Sequence, residues 1–114
     1  MSTHAEEHAM KARFIAFEGG EGVGKSTQAK RLVAALAERG IDALLTREPG
    51  GTAGAEMIRK LLLEPPGTGW LVQAEAMLFA AARSDHVAKA IKPALMAGKW
   101  VVCDRFVLSS RAYQ

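Results

Sequence analysis

The residues best suited to chemistry form a glycine-rich stretch near the amino terminus. Two glycines separated by four residues, then a lysine and a serine, match the G-x-x-x-x-G-K-[ST] pattern at positions 19–26. Glycines let the backbone curl so that successive amide N–H groups point at phosphate oxygens. The lysine would reach the terminal phosphates of a nucleotide, and the serine hydroxyl would ligate Mg²⁺. We therefore expect a nucleotide-phosphate site formed by Gly19, Gly20, Glu21, Gly22, Val23, Gly24, Lys25, Ser26 and the adjoining Thr27.

Two other interpretations of this stretch are weaker. A glycine-rich turn with a solvated lysine would give a similar composition, but the stretch lies between a predicted buried strand and an amphipathic helix, as phosphate binding requires. A dinucleotide-binding loop would need G-x-G-x-x-G, whereas the glycines here run Gly20, Gly22 and Gly24. Lys25 and Ser26 would also have no role in such a loop.

Charged residues follow the ends of two further predicted strands. Arg47 comes after one apolar run and precedes Pro49, while Asp104 and Arg105 end another. Because open α/β sheets bind ligands at the carboxyl ends of their strands, we expect these residues to converge on the phosphate site. Asp104 would supply an acidic contact to Mg²⁺, with the Arg105 cation beside it. A surface ion pair between Asp104 and Arg105 is the simpler alternative for that strand end.

Short apolar runs predict the strands that carry these residues. The runs cover 14–17, 43–46 and 100–103, and each ends at glycine, proline or charged residues. A strand, a helix and a strand in that order predict a right-handed parallel βαβ unit. The chain is therefore expected to adopt an α/β fold around a central parallel sheet.

Helices are predicted between the strands. Apolar residues recur at helical spacing from Ser26, with Gly40 as the C-terminal stop, and again over 57–62, until Pro65-Pro66-Gly67. The alanine-rich segment 71–96 predicts two consecutive helices or one kinked helix. Ser84-Asp85 is a possible N-cap within this segment, and Pro93 is a second interruption.

Length and composition restrict the class of protein. With 114 residues the chain can bury one core. Fifteen lysines and arginines against 12 acidic residues give too small a positive balance to indicate a nucleic-acid partner. The single cysteine, Cys103, follows an apolar run and is expected to be a buried thiol in a reducing cytoplasm.

The first residues are expected to lie outside the folded unit. Residues 1–12 are polar and are predicted to be a flexible leader, neither a signal peptide nor an anchor, so no membrane association is expected. Residues 13–114 are predicted to form one domain. The leader contains His4-Ala5-Glu6-Glu7-His8, which fits the H-x-x-E-H of a zinc peptidase. With no apolar helical face and no evident third ligand, we interpret this match as chance. His86 is predicted to be a solvated helix residue.

Taken together, the motifs resemble those of the thymidylate kinase family. The resemblance runs from about Phe14 to the last residue. It is carried by Phe17-Glu18-Gly19 before the phosphate loop, Thr46-Arg47-Glu48-Pro49-Gly50-Gly51-Thr52, Leu78-Phe79 with Ala82-Arg83, and Asp104-Arg105-Phe106 through Ser109-Ser110-Arg111-Ala112-Tyr113-Gln114. It implies a P-loop NTPase fold, a three-layer α/β/α arrangement that this chain carries only in part. It also implies Mg²⁺-dependent transfer of a phosphoryl group from ATP to thymidine monophosphate by a cytoplasmic homodimer.

The resemblance also implies roles for individual residues. Phe79 would stack on thymine, Arg83 would bind the base edge, and Arg47 and Arg105 would hold the monophosphate. For Phe79 alone, packing in the core is the simpler interpretation. Further implied contacts are Glu21 near the sugar 3′-hydroxyl, Ser110 and Gln114 near the base, and Tyr113 against a 2′-hydroxyl. Pro49 would shape its turn. Lys25, Asp104 and Arg105 would act in catalysis.

In one respect the sequence departs from part of the family. Some members carry an arginine inside the phosphate loop, whereas this loop has Gly22 and Val23 and no arginine. Members of this kind supply the charge from a downstream lid, and the sequence ends before any such lid or adenine pocket, so the chain is expected to be an N-terminal portion.

Other functions remain as alternatives. A deoxynucleoside kinase needs no residues that bind a phosphate of the acceptor, whereas Arg47 and Arg105 would bind one here. A non-catalytic nucleotide-binding fragment is the second alternative. A GTPase would need Asn-Lys-x-Asp for guanine recognition, and the sequence contains no asparagine.

Overall fold

The structure, a computed structural model, describes residues 13–19 and 25–106. The predicted leader over 1–12, with its H-x-x-E-H pentad, lies outside the described residues. So do the middle of the glycine-rich stretch and residues 107–114. For residues 25, 26 and 106 the description is limited to the backbone.

Among the described residues, three parallel strands form a sheet. They are β1 (Phe14–Gly19), β2 (Ala43–Glu48) and β3 (Trp100–Phe106). Their order is β1-β3-β2, so the predicted parallel sheet is confirmed, with β3 inserted between the two strands of the predicted βαβ unit. The third strand is longer than predicted, because Asp104 and Arg105 pair with both neighbours instead of following the strand.

The helices are α1 (Lys25–Glu38), α2 (Ala53–Leu63), α3 (Val72–His86) and α4 (Lys92–Met96). A π-helical turn, Val87–Ile91, joins α3 to α4 without a break. Of the two alternatives for 71–96, one irregular helix is therefore observed, with Pro93 in the first turn of α4. The possible N-cap at Ser84-Asp85 is wrong, since both residues lie inside α3. A positive φ of 79° at Gly40 agrees with its predicted role as a stop.

The core lies on both faces of β3. Val101, Val102 and Cys103 have no exposed surface, and consecutive side chains of a strand point to opposite faces. On one face, α1 packs Ala29 and Leu36 against Val102. On the other, the π turn and α4 pack Ile91 and Ala94 against Val101. Helices thus cover both faces of a parallel sheet, which is the three-layer arrangement expected for a P-loop fold.

Within residues 13–19 and 25–106, no helix combines the length and the apolar character needed to cross a bilayer.

Candidate nucleotide-binding site

The described backbone brackets the predicted phosphate loop. β1 ends at Gly19 and α1 begins at Lys25, so a strand precedes the glycine-rich stretch and a helix follows it. The prediction that this strand is buried is wrong, because β1 is an edge strand of the described sheet and its side chains are half-buried or exposed. Lys25 and Ser26 belong to the first turn of α1, where unpaired N–H groups and the helix dipole favour phosphate. Thr27 is exposed in the same turn. The loop residues Gly20, Glu21, Gly22, Val23 and Gly24 lie outside the described residues, and their roles stay predictions.

One row of residues, two of them predicted site residues, crosses the sheet on the face covered by α1. Phe17, Asp104 and Arg47 are register partners on β1, β3 and β2. Phe17 packs into the core beneath α1, and Asp104 and Arg47 line a cavity of about 460 Å³ together with Lys30. The sheet therefore places Arg47 and Asp104 on the side of the helix that follows the phosphate loop.

Arg47 is held by a carboxylate that the motifs did not single out. Its Nε and Nη2 donate to the two oxygens of Glu56 on α2, at 3.1 and 2.6 Å. The backbone N–H of Gly51 also donates to Glu56, at 2.9 Å. The hydrogen bond from Arg47 is the main reason why the pKa of Glu56 is lowered to about 2. Arg47 is therefore oriented by the protein, with about half of its side chain exposed.

A second row crosses the sheet on the opposite face. Glu18, Arg105 and Glu48 are register partners on β1, β3 and β2. Arg105 Nη1 donates to Glu18 Oε2 at 2.9 Å, and its Nε lies 3.4 Å from Glu48 Oε1. Asp104 and Arg105, being adjacent in a strand, point to opposite faces, and the carboxylates that Arg105 contacts here are those of Glu18 and Glu48. For the same reason Arg47 and Arg105 lie on different faces of the sheet, both near the carboxyl ends of their strands.

Arg83 joins this second row from α3. Its Nε and Nη2 both donate to Glu48 Oε1, at 3.1 and 2.7 Å, and its guanidinium lies 5.7 Å from the centre of the Phe79 ring. Phe79 is half-buried, so its ring keeps some exposed surface next to the cation. The structure thus brings together Phe79, Arg83 and Arg105, three of the residues assigned to thymidine monophosphate.

His86 is buried, and the prediction that it is solvated is wrong. It has no exposed surface, and its Nε2 lies 2.7 Å from Thr46 Oγ1. Its Nδ1 is 3.7 Å from Glu48 Oε2, an electrostatic contact longer than a hydrogen bond. A side chain at Gly51, whose φ is 93°, would collide with the His86 ring and with Thr46 Oγ1. The glycine therefore allows the turn after β2 to pass directly over the imidazole.

The turn after β2 is fixed at several points. The Glu48–Pro49 peptide bond is cis, Pro49 is buried, and its carbonyl accepts a hydrogen bond from Arg59 at 2.8 Å. Thr52 caps α2 by accepting from the Ala55 N–H at 3.1 Å. Its hydroxyl also donates to Asp85 of α3. The segment from Pro49 to Thr52 is thus hydrogen-bonded to both α2 and α3.

The residues present suit a magnesium ion bound together with a nucleotide. Within the described ranges no group of three or more His, Cys, Asp or Glu side chains could hold a metal by itself. Mg²⁺ in phosphoryl-transfer sites takes one or two protein oxygens and completes its shell with phosphates and water. A carboxylate at Asp104 and a hydroxyl at Ser26, near the start of α1, match that donor set.

Cys103 takes no part in this chemistry. It is fully buried, and burial raises the pKa of its thiol to about 11, with the negative charge of Glu48 acting in the same direction. The expected buried thiol is confirmed. Of the other predicted contacts, Ser110, Tyr113 and Gln114 lie outside the described residues.

Comparisons with known proteins agree on one family. A family model described as thymidylate kinase matches residues 17–114. The chain is 67% identical over 105 residues to a thymidylate kinase of Rhizorhabdus wittichii, covering 92% of this chain and 50% of that protein. It is 57% identical over 104 residues to one from a Bradyrhizobium species, covering 91% and 46%. A crystal structure of thymidylate kinase from Ehrlichia chaffeensis matches with a TM-score of 0.74 and 44% identity, over 83% of this chain and 54% of that one. The chain spans about half the length of the curated relatives it matches.

Proposed function

The chain belongs to the thymidylate kinase family, and we propose that the protein transfers the terminal phosphoryl group of ATP to thymidine monophosphate, which gives thymidine diphosphate for DNA precursor synthesis. The observation that carries this proposal is the group formed by Phe79, Arg83 and Arg105 at the carboxyl edge of the sheet. It gathers an aromatic face and two guanidinium groups around Glu48 at the end of β2, and Arg105 itself lies on β3, next to the strand that leads into the phosphate loop.

The acceptor nucleotide needs an aromatic surface and fixed cations. A stacked base gains about 1–3 kcal/mol on an aromatic side chain, which Phe79 offers. The Arg83 fork would donate to the base edge, and Arg105 and Arg47 would bind the monophosphate from the two faces of the sheet edge. Two arginines placed to bind the phosphate of the acceptor favour a nucleotide kinase over a deoxynucleoside kinase, whose acceptor carries no phosphate.

Catalysis would rest on positioning and on charge neutralisation. Lys25 would hold the β- and γ-phosphates of ATP, and the backbone N–H groups of the predicted phosphate loop would surround them. Magnesium, when bound through Ser26, Asp104 and the phosphates, supplies further neutralisation of the transferred group. Arg105 lies at the acceptor side, where its charge would stabilise the phosphoryl group as it arrives. Little acid-base chemistry is required of the protein.

We also propose that the protein is a cytoplasmic homodimer. The single thiol, Cys103, is compatible with a reducing compartment. Met57 of α2 and Met77 of α3, two helices that pack against each other, are each about 70% exposed, and a second copy could cover such exposed apolar side chains. The molar mass measured by light scattering tests whether the protein is a dimer. Twice the chain mass is expected, and the monomer mass would contradict it.

The activity is tested on the natural full-length protein with ATP, Mg²⁺ and thymidine monophosphate. Thymidine diphosphate is expected as the product, and Lys25→Ala should abolish its formation while the circular dichroism spectrum is unchanged. Leu63→Ala, an exposed position at the end of α2, is the control that should keep its activity. Turnover in the Lys25→Ala variant equal to that of the parent would overturn the assignment.

A further inference from the structure

The two arginines of the acceptor site share one buried carboxylate. Glu48 is only 2% exposed, although it ends an edge strand of the described sheet. Its Oε1 accepts two hydrogen bonds from Arg83 and lies 3.4 Å from Arg105 Nε. Arg83 comes from α3 and Arg105 from β3, so one carboxylate joins two elements that are distant in sequence.

The other oxygen of Glu48 faces His86. Burial alone would raise the pKa of Glu48, but the side chains of His86 and Arg83 and the charge of Arg105 lower it to about 2. Glu48 is therefore anionic throughout the physiological pH range. His86 is itself fixed by Thr46 and by the close passage of Gly51. The carboxylate cannot swing away from the arginines without disturbing this packing.

The hydrogen bonds orient each guanidinium. Arg83 uses its Nε and Nη2 on Glu48, and its Nη1 has no hydrogen bond among the described residues. About half of the Arg83 side chain is exposed, and the guanidinium lies against Phe79. An arginine that is clamped along one side and exposed along another loses less rotamer freedom when a ligand binds.

We propose that Glu48 is a positioning residue for the acceptor nucleotide, a buried anion that holds Arg83 and Arg105 in one arrangement before thymidine monophosphate binds. The inference rests on the proposed function. It assigns to Glu48 no contact with the substrate and no part in the chemical step.

The test measures KM for each substrate in the full-length protein. Glu48→Gln keeps the shape of the side chain but removes its charge, so KM for thymidine monophosphate should rise about 10- to 100-fold. KM for ATP should change less than about twofold, because the contacts proposed for ATP come from the phosphate loop and Lys25, and not from the two arginines that Glu48 holds. Asp42→Asn is the matched control, since it removes an exposed carboxylate at the other end of β2 and should change neither constant.

Two further variants separate positioning from general support of the fold. Glu48→Asp keeps the charge on a shorter side chain and should raise KM for thymidine monophosphate even if Glu48→Gln fails to fold. In an Arg83→Ala background, the factor by which Glu48→Gln raises KM for thymidine monophosphate should be at least about threefold smaller, because one of the two arginines that Glu48 orients is gone.

The outcomes are distinct. If the parent protein does not phosphorylate thymidine monophosphate, the proposed function fails and this inference fails with it. If the parent is active but Glu48→Gln and Glu48→Asp leave KM for thymidine monophosphate unchanged, or raise both KM values equally, the inference alone is overturned.

Discussion

Arg83 and Glu48 are 35 positions apart in sequence, and the arginine donates two hydrogen bonds to a single oxygen of the carboxylate, at 3.1 and 2.7 Å. The arginine is half exposed and the carboxylate is almost fully buried. The pair therefore connects the core of the molecule with the surface at which a nucleotide would bind. A charged hydrogen bond anchored in this way is stronger than one between two exposed side chains.

The first prediction concerns stability in acid. The pKa of Glu48 is about 2 in the folded protein, against an ordinary value of 4.5. Its stabilising effect is therefore complete above about pH 4.5 and is lost as the pH falls toward 2. Glu48→Gln should lower the free energy of unfolding by about 1–3 kcal/mol at pH 7. The difference from the parent should narrow at pH 3.

Urea unfolding midpoints at pH 7, 4 and 3 give this measurement. Asp42→Asn, which removes an exposed carboxylate, should lie within about 0.5 kcal/mol of the parent at each pH. A Glu48→Gln deficit that stays constant from pH 7 to pH 3 would contradict the prediction.

The second prediction concerns recognition of the base. Arg83→Ala should weaken binding of thymidine monophosphate by about 1–3 kcal/mol and leave ATP binding nearly unchanged, because the proposed contact is to the acceptor base. Calorimetric titrations with each nucleotide measure both affinities. Arg39→Ala, in the exposed turn after α1, serves as the control. An equal loss for both nucleotides would mean that Arg83 supports the structure and does not read the base.

The third prediction concerns Gly51. Its φ of 93° is unfavourable for any other residue, and a methyl group there would overlap with His86 and with Thr46. Gly69, with a φ of 104°, has nothing within 4 Å of such a methyl group. Gly69→Ala should therefore report the backbone strain alone, about 1–2 kcal/mol.

Gly51→Ala should cost about 1–3 kcal/mol more than Gly69→Ala, because the overlap adds to the strain. Thermal unfolding of the two variants and the parent measures the difference. Equal midpoints for the two alanine variants would show that the turn relaxes away from His86 at no cost.

Local signals in the sequence predicted most of the elements. Short apolar runs located the three strands that the structure describes, and Gly40 and Pro65 marked the ends of two helices within a few residues. The spacing of Glu75, Phe79, Ala82 and His86 follows one helical face, and this pattern indicates that His86 is buried. The prediction that His86 is solvated was wrong because it rested on the polarity of the side chain alone.

Long-range pairing could not be predicted from the sequence. The position of β3 between β1 and β2 depends on contacts across most of the chain. Strand alternation then places Arg47 and Arg105 on opposite faces, although both follow apolar runs in the same way. Glu48 and Glu56 gave no signal as arginine partners, because a carboxylate at the end of a strand or in the first turn of a helix is usually solvated.

The most direct test of this account is a competition between two acceptors for one phosphoryl group. The full-length protein is given ATP labelled at the γ-phosphate, with equal concentrations of thymidine and thymidine monophosphate, and the labelled products are separated by chromatography. A site in which Arg47, Arg83 and Arg105 bind an acceptor that already carries a phosphate predicts that the label appears in thymidine diphosphate. Label found in thymidine monophosphate would identify the nucleoside as the acceptor and contradict the account.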